Sequence, residues 1–274
     1  RNCDLSFSNL CSWRFLYDTQ FAVIDDFLVF KFWAGEQLAY MMPVGNGDLK
    51  AVLRKLIEDA DKEKHNFCML GVCSNMRADL EAILPERFIF TEDRAYADYI
   101  YLRSDLATLK GKKFQAKRNH INRFRNTYPD YEYTPITPDR IQECLDLEAE
   151  WCKVNNCDQQ EGTGNERRAL IYALHNFEAL GLTGGILHVN GKIVAFTFGM
   201  PINHETFGVH VEKADTSIDG AYAMINYEFA NRIPEQYIYI NREEDLGIEG
   251  LRKAKLSYQP VTILEKYMAC LKDH

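Results

Sequence analysis

Residues 185–229 read GILHVNGKIVAFTFGMPINHETFGVHVEKADTSIDGAYAMINYEF, and this stretch decides the architecture. Apolar residues recur in three short runs, 185–189, 193–200 and 205–212, which predict a meander of three strands. Asn190-Gly191 separates the first two runs. A two-residue hairpin turn needs positive φ at both positions, which Asn-Gly accepts most readily. Pro201-Ile-Asn-His204 joins the second pair. Ser217 is then expected to cap a helix that turns Ile218, Tyr222, Ile225 and Phe229 inward. On the third run, strict alternation places Phe207, Val209 and Val211 on one face. It places His204, Thr206, Gly208, His210 and Glu212 on the other.

Toward the C-terminus the pattern predicts a strand at 237–240, the polar run Asn241-Arg-Glu-Glu-Asp245, a short helix over 248–256 and a last strand at 260–268. Upstream of the meander lie a strand at 131–134 and a helix carrying Ile141, Leu145, Glu148 and Trp151. Thr163-Gly-Asn-Glu166 reads as a capping box, opening a helix with Leu170, Ala173, Leu174 and Phe177 on one face. Gly181 stops it. The first third repeats much of this order. Strands at 21–24, 27–33 and 37–42 surround the turns Asp25-Asp26 and Ala34-Gly35. A glycine-containing loop follows, then a helix with Leu49, Val52, Leu53, Leu56 and Ala60, capped by Asn46 or Asp48. A strand at 67–70, a helix capped by Ser74, and strands at 87–90 and 96–102 complete it. Gly47 and Gly220 hold similar places in the two orders. The expectation is an α/β (α+β) protein of two similar lobes, 1–109 and 131–274. Each has its own central sheet, and 110–130 lies between them.

The middle segment differs in kind. Lys110, Lys112, Lys113, Lys117, Arg118, Arg123 and Arg125 put seven positive charges in 110–125 with no acid. The whole chain carries −8, so the remainder carries −8 − 7 = −15. Phe114, Ile121 and Phe124 give the segment a sparse apolar stripe. It is either a solvated linker helix or an anion-binding helix, with Lys113, Lys117 and Arg118 as the candidate contacts.

Composition narrows the remaining classes. With 274 residues, 46% hydrophobic and 26% charged, the chain is globular rather than disordered. No run of about 18 apolar residues is present, so no membrane span is expected. The chain begins at Arg1 without the residue order of a signal peptide. Its net acidity argues against a general nucleic-acid coat. The eight cysteines are scattered, without a CxxC pair, and read as reduced thiols of a cytoplasmic protein. Cys152 and Cys157 have no matching histidine pair, so no metal site is expected.

The order strand, two helices, meander, loop and helix, strand, helix, strand resembles the GNAT acyltransferase fold. A tandem pair with a basic helix between resembles the Fem-type peptidyltransferases. It resembles still more closely the C-terminal domain of phosphatidylglycerol lysyltransferase and its relatives. Residues 113–125, 210–226 and 241–260 carry the likeness. It implies a transferase that moves an aminoacyl group from aminoacyl-tRNA to an amine or hydroxyl, such as a lipid headgroup or peptide. No cofactor is bound permanently, and the alternative donor is acetyl-coenzyme A. It also implies a place at the inner membrane face. In the fold, amides at the start of the helix after the meander hold the donor's pyrophosphate, which marks Gly220 and Ala221. The loop departs from the family pattern in having a single glycine and an acid, Asp219. A different class, a non-catalytic GNAT-fold module binding an anionic ligand, stays open.

Acyl transfer needs oriented reactants, a proton acceptor and donors for an oxyanion. His210, Glu212 and Glu243 are the candidate bases and are not separated by sequence. Arg242 is a two-pronged donor for a phosphate or carboxylate, and Glu243 or Asp245 can orient an amine. Arg252 and Lys255, three apart on the next helix, share a face, and Tyr258 follows them. Arg242, Asp245, Arg252 and Lys255 are expected in one cleft facing Glu212 or His210.

Overall fold

In the computed structural model, which describes residues 2–155 and 161–272, two short helices precede the first strand: α1 (Phe7–Ser12) and α2 (Arg14–Tyr17). Neither was foreseen in the strand-first reading, because elements this short carry too little apolar period to register. β1 (Gln20–Ile24) and β2 (Phe27–Ala34) turn at Asp25 and Asp26, with φ of 47° and 63°. Aspartate tolerates this left-handed region. β3 (Gln37–Tyr40) and the two-residue β4 (Val44–Gly45) both pair with β2. Asp48 then accepts a hydrogen bond from the Ala51 amide and caps α3 (Leu49–Lys62), which buries Val52, Leu53, Leu56 and Ala60.

β5 (Cys68–Val72), α4 (Ser74–Ile83), β6 (Phe88–Glu92), β7 (Asp98–Leu102) and α5 (Arg103–Thr108) lead to the basic helix α6 (Gln115–Thr127). β8 (Glu132–Pro135), α7 (Ile141–Asn155) and α8 (Glu161–His175) precede the meander of β9 (Thr183–Val189), β10 (Lys192–Pro201) and β11 (Thr206–Ala214). Asn190 and Gly191 take φ of 52° and 72°, as the hairpin requires. The chain ends in α9 (Ala221–Arg232), β12 (Tyr239–Asn241), α10 (Glu249–Leu256), β13 (Thr262–Leu264) and β14 (Tyr267–Leu271).

The strands form two seven-stranded sheets. The first runs β1-β2-β3-β5-β14-β6, with β4 attached to β2. The second runs β13-β7-β12-β11-β10-β9-β8. Sheet membership does not follow the division at 109 and 131. β7, from the first part of the chain, sits between β13 and β12 in the second sheet. β14, from the last part, sits between β5 and β6 in the first. The expected single strand at 260–268 is thus two strands, β13 and β14, feeding different sheets.

The basic segment is no free linker. Phe114, Ile121 and Phe124 are buried in the same core as Tyr101, Phe207, Met224 and Phe229. Each such burial contributes about 1.5–3 kcal/mol, which fixes α6 against α9 and the second sheet. The opposite face of that sheet packs on α7 and α8 through Leu147, Leu174, Phe196 and Phe198. The first sheet packs on α3 and α4.

Several terminal assignments shift. α4 begins at Ser74, with Cys73 in the capping place. α8 begins at Glu161, so Thr163 and Glu166 lie inside it, and Glu166 pairs with Lys213 at 2.8 Å. α9 begins at Ala221 rather than after Ser217, whose amide and hydroxyl close a turn on Asp215. The reduced-thiol expectation is also corrected. Cys68 and Cys270 are directly opposite across β5 and β14 and form a disulfide. Cys3, Cys11, Cys73, Cys144 and Cys152 are free thiols, and Cys157 lies outside the described residues. No helix among the described residues is long and apolar enough to cross a membrane.

Candidate active site

β11 and β12 pair in parallel only over Thr206–Gly208 and Tyr239–Asn241, then part. The carboxyl end of two parallel strands is where an open α/β sheet places its ligand cleft, and the candidate side chains gather there. Just there β11 carries a bulge: Val209 faces Gly199 and Val211 faces Phe198, leaving His210 unopposed. A bulge resets the alternation. Phe207 and Val209 enter the core shared with α6 and α9, whereas Val211 packs on the α7 side. The single-face reading of Phe207, Val209 and Val211, and of His210 with Glu212, is corrected accordingly.

Residues 241–245 distribute their side chains among separate partners. Asn241 donates to Asp98 at 2.8 Å and accepts from the Glu243 amide at 2.7 Å. Arg242 spans the cleft and donates through Nη2 to Glu212 Oε1 at 2.9 Å. Glu243, at φ 59°, meets His210 Nδ1 at 2.7 Å and Asn9 Nδ2 at 2.9 Å. Glu244 lies 3.8 Å from Lys266. Asp245, wholly buried, accepts from Arg252 at 2.8 and 2.9 Å, from the Tyr99 hydroxyl at 2.5 Å and from the Gly247 amide at 2.8 Å.

Three groupings follow, in place of the one shared cleft expected. The first lines the cleft. Arg242 lies between the rings of Tyr101 and Tyr258, and the Lys117 ammonium sits 3.9 Å from the same Tyr258 ring. Burial opposes the charge on Arg242, but Glu212 outweighs it and holds the guanidinium protonated. Burial, then Arg242, pushes Lys117 down to about 8. Lys255 lies behind, its ammonium on the carbonyl oxygens of Arg242 and Glu243. It ties backbone rather than facing the cleft, and burial followed by Arg242 lowers its pKa.

The second grouping is His210 with Glu243. An ionised carboxylate only accepts, so Nδ1 carries the proton and Nε2 is the basic nitrogen. Nε2 is buried and has no hydrogen-bond partner among the described residues. The third is Asp245 with Arg252, Tyr99 and Arg94, an internal staple around a fully buried carboxylate. Its hydrogen bonds from Arg252, above all, hold the carboxyl well below the usual range.

The remaining sequence candidates lie elsewhere. Lys113 pairs with Asp105 at 2.8 Å, and Arg118 donates to the Leu109 and Gly111 carbonyls and to Gln115. Gly220, at φ 83°, lies against α6: a Cβ there would be 3.1 Å from the His120 carbonyl oxygen. Ala221 is 1% exposed, and Asp219 pairs with Arg123 at 2.9 Å. The start of α9 is therefore covered by α6. Sequence reasoning missed Tyr101, Asn9 and Asn226. Asn226 donates to Glu212 Oε2 at 3.2 Å, while its own Oδ1 is buried without a partner. A polar residue next to the inward Ile225 was its only signal.

Cys3, Asp4 and Asp98 bring ligand atoms close enough to hold a metal ion. Lys266 already places its ammonium 2.8 Å from Asp4 and 2.9 Å from Asp98, and supplies the positive charge there. A cavity of about 740 Å³ between α7 and the β9–β10 hairpin is lined by Glu143, Glu150, Trp151 and His188, and by none of the cleft residues.

Two mixed sheets flanked by helices, with parallel strands parting at a bulge, define the class: a tandem GNAT-like acyltransferase fold. Residues 1–270 match the family model described as phosphatidylglycerol lysyltransferase, C-terminal, and the chain belongs to that family. The C-terminal domain of a putative lysylphosphatidylglycerol synthetase from Agrobacterium fabrum is similar in structure. Its TM-score is 0.72 at 13% identity, covering 96% of this chain and 86% of that one. The L-PGS of Bacillus licheniformis gives a TM-score of 0.67 at 18% identity, over 97% and 88%. A tandem GNAT protein of clavulanic acid biosynthesis gives 0.50 at 11% identity, over 90% and 80%. An uncharacterised protein of Mycoplasmoides gallisepticum is 25% identical over 177 residues, 62% of this chain and 55% of that protein.

Proposed function

We propose that the chain transfers an aminoacyl group from aminoacyl-tRNA to an amine or hydroxyl acceptor, such as a lipid headgroup or peptide. The observation that carries this reading is the family match over residues 1–270, joined to the polar side chains gathered where the β11–β12 pairing ends. In the reaction the acceptor's lone pair forms a bond to the acyl carbon. The ester bond to the tRNA ribose breaks, and the ribose oxygen leaves as a hydroxyl. His210 Nε2 takes the acceptor's proton and returns it to the leaving oxygen, while Glu243 holds the imidazole in that tautomer. Glu212 has both oxygens engaged, by Arg242 and Asn226, which favours His210 over it as the base.

The covered start of α9 speaks against acetyl-coenzyme A as donor. A pyrophosphate there would compete with α6 and face Asp219. The test is transfer of labelled amino acid from charged tRNA into lipid or peptide acceptors, beside labelled acetyl-coenzyme A. Transfer from tRNA, lost by on the order of 10²–10⁴-fold in His210→Gln, is expected. Transfer from acetyl-coenzyme A alone would overturn the reading. Anion binding without turnover from either donor would favour the non-catalytic module.

A further inference from the structure

In the proposed transfer His210 works through Nε2 only while Nδ1 keeps its proton, and the carboxylate that dictates this is held from a distant segment. Glu243 Oε1 accepts from His210 Nδ1 at 2.7 Å and from Asn9 Nδ2 at 2.9 Å. The terminal torsion of a glutamate is broad and roughly two-fold, so a carboxylate with one hydrogen bond swings readily. Two donors on one oxygen fill both of its lone-pair sites and fix the carboxylate plane. The side chain of His210 is 4% exposed and that of Glu243 21%, so the carboxylate is the partner that water can draw away.

Asn9 comes from α1, and its amide has a single workable orientation. The second hydrogen of Nδ2 reaches the Cys3 carbonyl oxygen at 3.4 Å. Turning the amide over would set its oxygen against two acceptors. The contacts close a ring. The Cys3 amide donates to Asp98 Oδ2 at 3.2 Å, the same oxygen accepts from Asn241 at 2.8 Å, and Asn241 accepts from the Glu243 amide at 2.7 Å. Burial opposes the charge on Asp98, but Lys266, 2.9 Å away, outweighs it and holds the carboxyl below the usual range. The ring holds Glu243 at φ 59°, a conformation that side chains other than glycine rarely adopt. Such a residue persists where its surroundings over-determine it, and this one carries the carboxylate that addresses the base. The side chain of Asn9 is not needed for α1 itself. Its backbone amide meets the cap, Ser6 Oγ, at 3.3 Å, and its carbonyl accepts from Trp13.

We infer that Asn9 is a positioning residue: it pins the Glu243 carboxylate on His210 Nδ1 and so leaves Nε2 as the basic nitrogen. This rests on the proposed acyl transfer with His210 as the base. Asn9 is no catalytic residue; it acts through Glu243. Residues 3–9 thereby serve a carboxylate 234 residues beyond Asn9 along the chain.

The test compares the parent with Asn9→Leu, which removes both donors at similar size, and with Phe7→Ala, an exposed position on the same helix. Nitrogen-15 spectra of protein labelled in the histidine rings, with His210 assigned through His210→Gln, report the tautomer without any substrate. The parent should show the proton on Nδ1. Asn9→Leu should show it shared between the two ring nitrogens, and Phe7→Ala should match the parent. Turnover in Asn9→Leu should fall on the order of tenfold to a hundredfold in kcat at near-constant KM. In a Glu243→Ala background the same substitution should cost nothing more, since its route is gone. Should Asn9→Leu fail to fold, Asn9→Asp keeps the shape, sets carboxylate against carboxylate and should give the same tautomer shift and rate loss. An unchanged tautomer, or a rate loss that persists undiminished without Glu243, overturns the inference and leaves the acyl transfer standing. A tautomer that shifts as expected in a chain with no transfer activity would sink the proposed function and leave the part played by Asn9 intact.

Discussion

Asp245→Asn separates a staple from a catalytic group. The substitution keeps the shape of the side chain and replaces one acceptor oxygen by a donor. Asp245 accepts from two nitrogens of Arg252, from Tyr99 and from the Gly247 amide, with Arg94 at 3.4 Å. An amide turned toward a guanidinium sets donor against donor. Removing one partner of a buried pair costs roughly 3–5 kcal/mol. Here Arg252 and Arg94 are 36% and 34% exposed, so water takes over part of their solvation. The expected loss falls to about 2–3 kcal/mol. An unfolding entropy of about 2.1 cal/mol/K per residue puts the drop in Tm near 4 °C for a chain of this length. The assay is thermal and urea unfolding at pH 7, repeated in acid. The folded carboxyl has its pKa depressed, so its contribution is present above the unfolded value of 3.8 and is lost as pH falls through the folded one. The two proteins should therefore converge at low pH. A Tm shift below about 1 °C at pH 7, or lost turnover at unchanged stability, would refute the staple and restore Asp245 to the site.

Two further outcomes follow from the same structure. Burial pushes the Glu244 carboxyl up to about 8 from 4.5, so the folded state binds the proton the unfolded state releases. Its contribution to stability is full below pH 4.5 and is lost as pH rises toward 8. Glu244→Gln should flatten that decline in urea midpoints taken across the window, and an unaltered slope would count against it. Gly220→Ala should lower stability by roughly 1–2 kcal/mol, since φ is 83° and the new Cβ meets the His120 carbonyl oxygen at 3.1 Å. A melt at or above the parent's would show that α6 does not press on the start of α9.

The sequence was most legible where the cause is local. Asn190-Gly191, Asp25-Asp26 and Asp48 act within a few residues, and the structure has a turn or cap at each. The tandem GNAT-like plan was legible because element order alone encodes it. Sheet membership was not, because β7 and β14 have apolar runs that suit either sheet, and only packing over the whole chain decides. The bulge at His210 was invisible for a different reason. It arises from register against β10, so the alternation written on β11 alone carries no trace of it. Residues 241–245 announced a polar site, but their fan of partners comes from α1, β7, β11 and α10 at once. Lys113 and Arg118 looked equal to Lys117 by charge, and only the apolar stripe of α6 separated them.

The exchange of β7 and β14 between the sheets has a consequence for the order in which the protein is made. A ribosome releases residues 20–92 before the described residues that follow them, with six strands of the first sheet and two of its helices in hand. The strand that lies between β5 and β6 is absent until residues 267–271 emerge, long after its neighbours. Until then the facing edges of β5 and β6 stay unpaired, a state that invites wrong partners. The sheet whose strands emerge earlier is thus the later to close. Cutting the chain at residue 109 or 131 would yield two fragments, each short of a strand that only the other holds. Mixing the two fragments would be the way to rebuild both sheets.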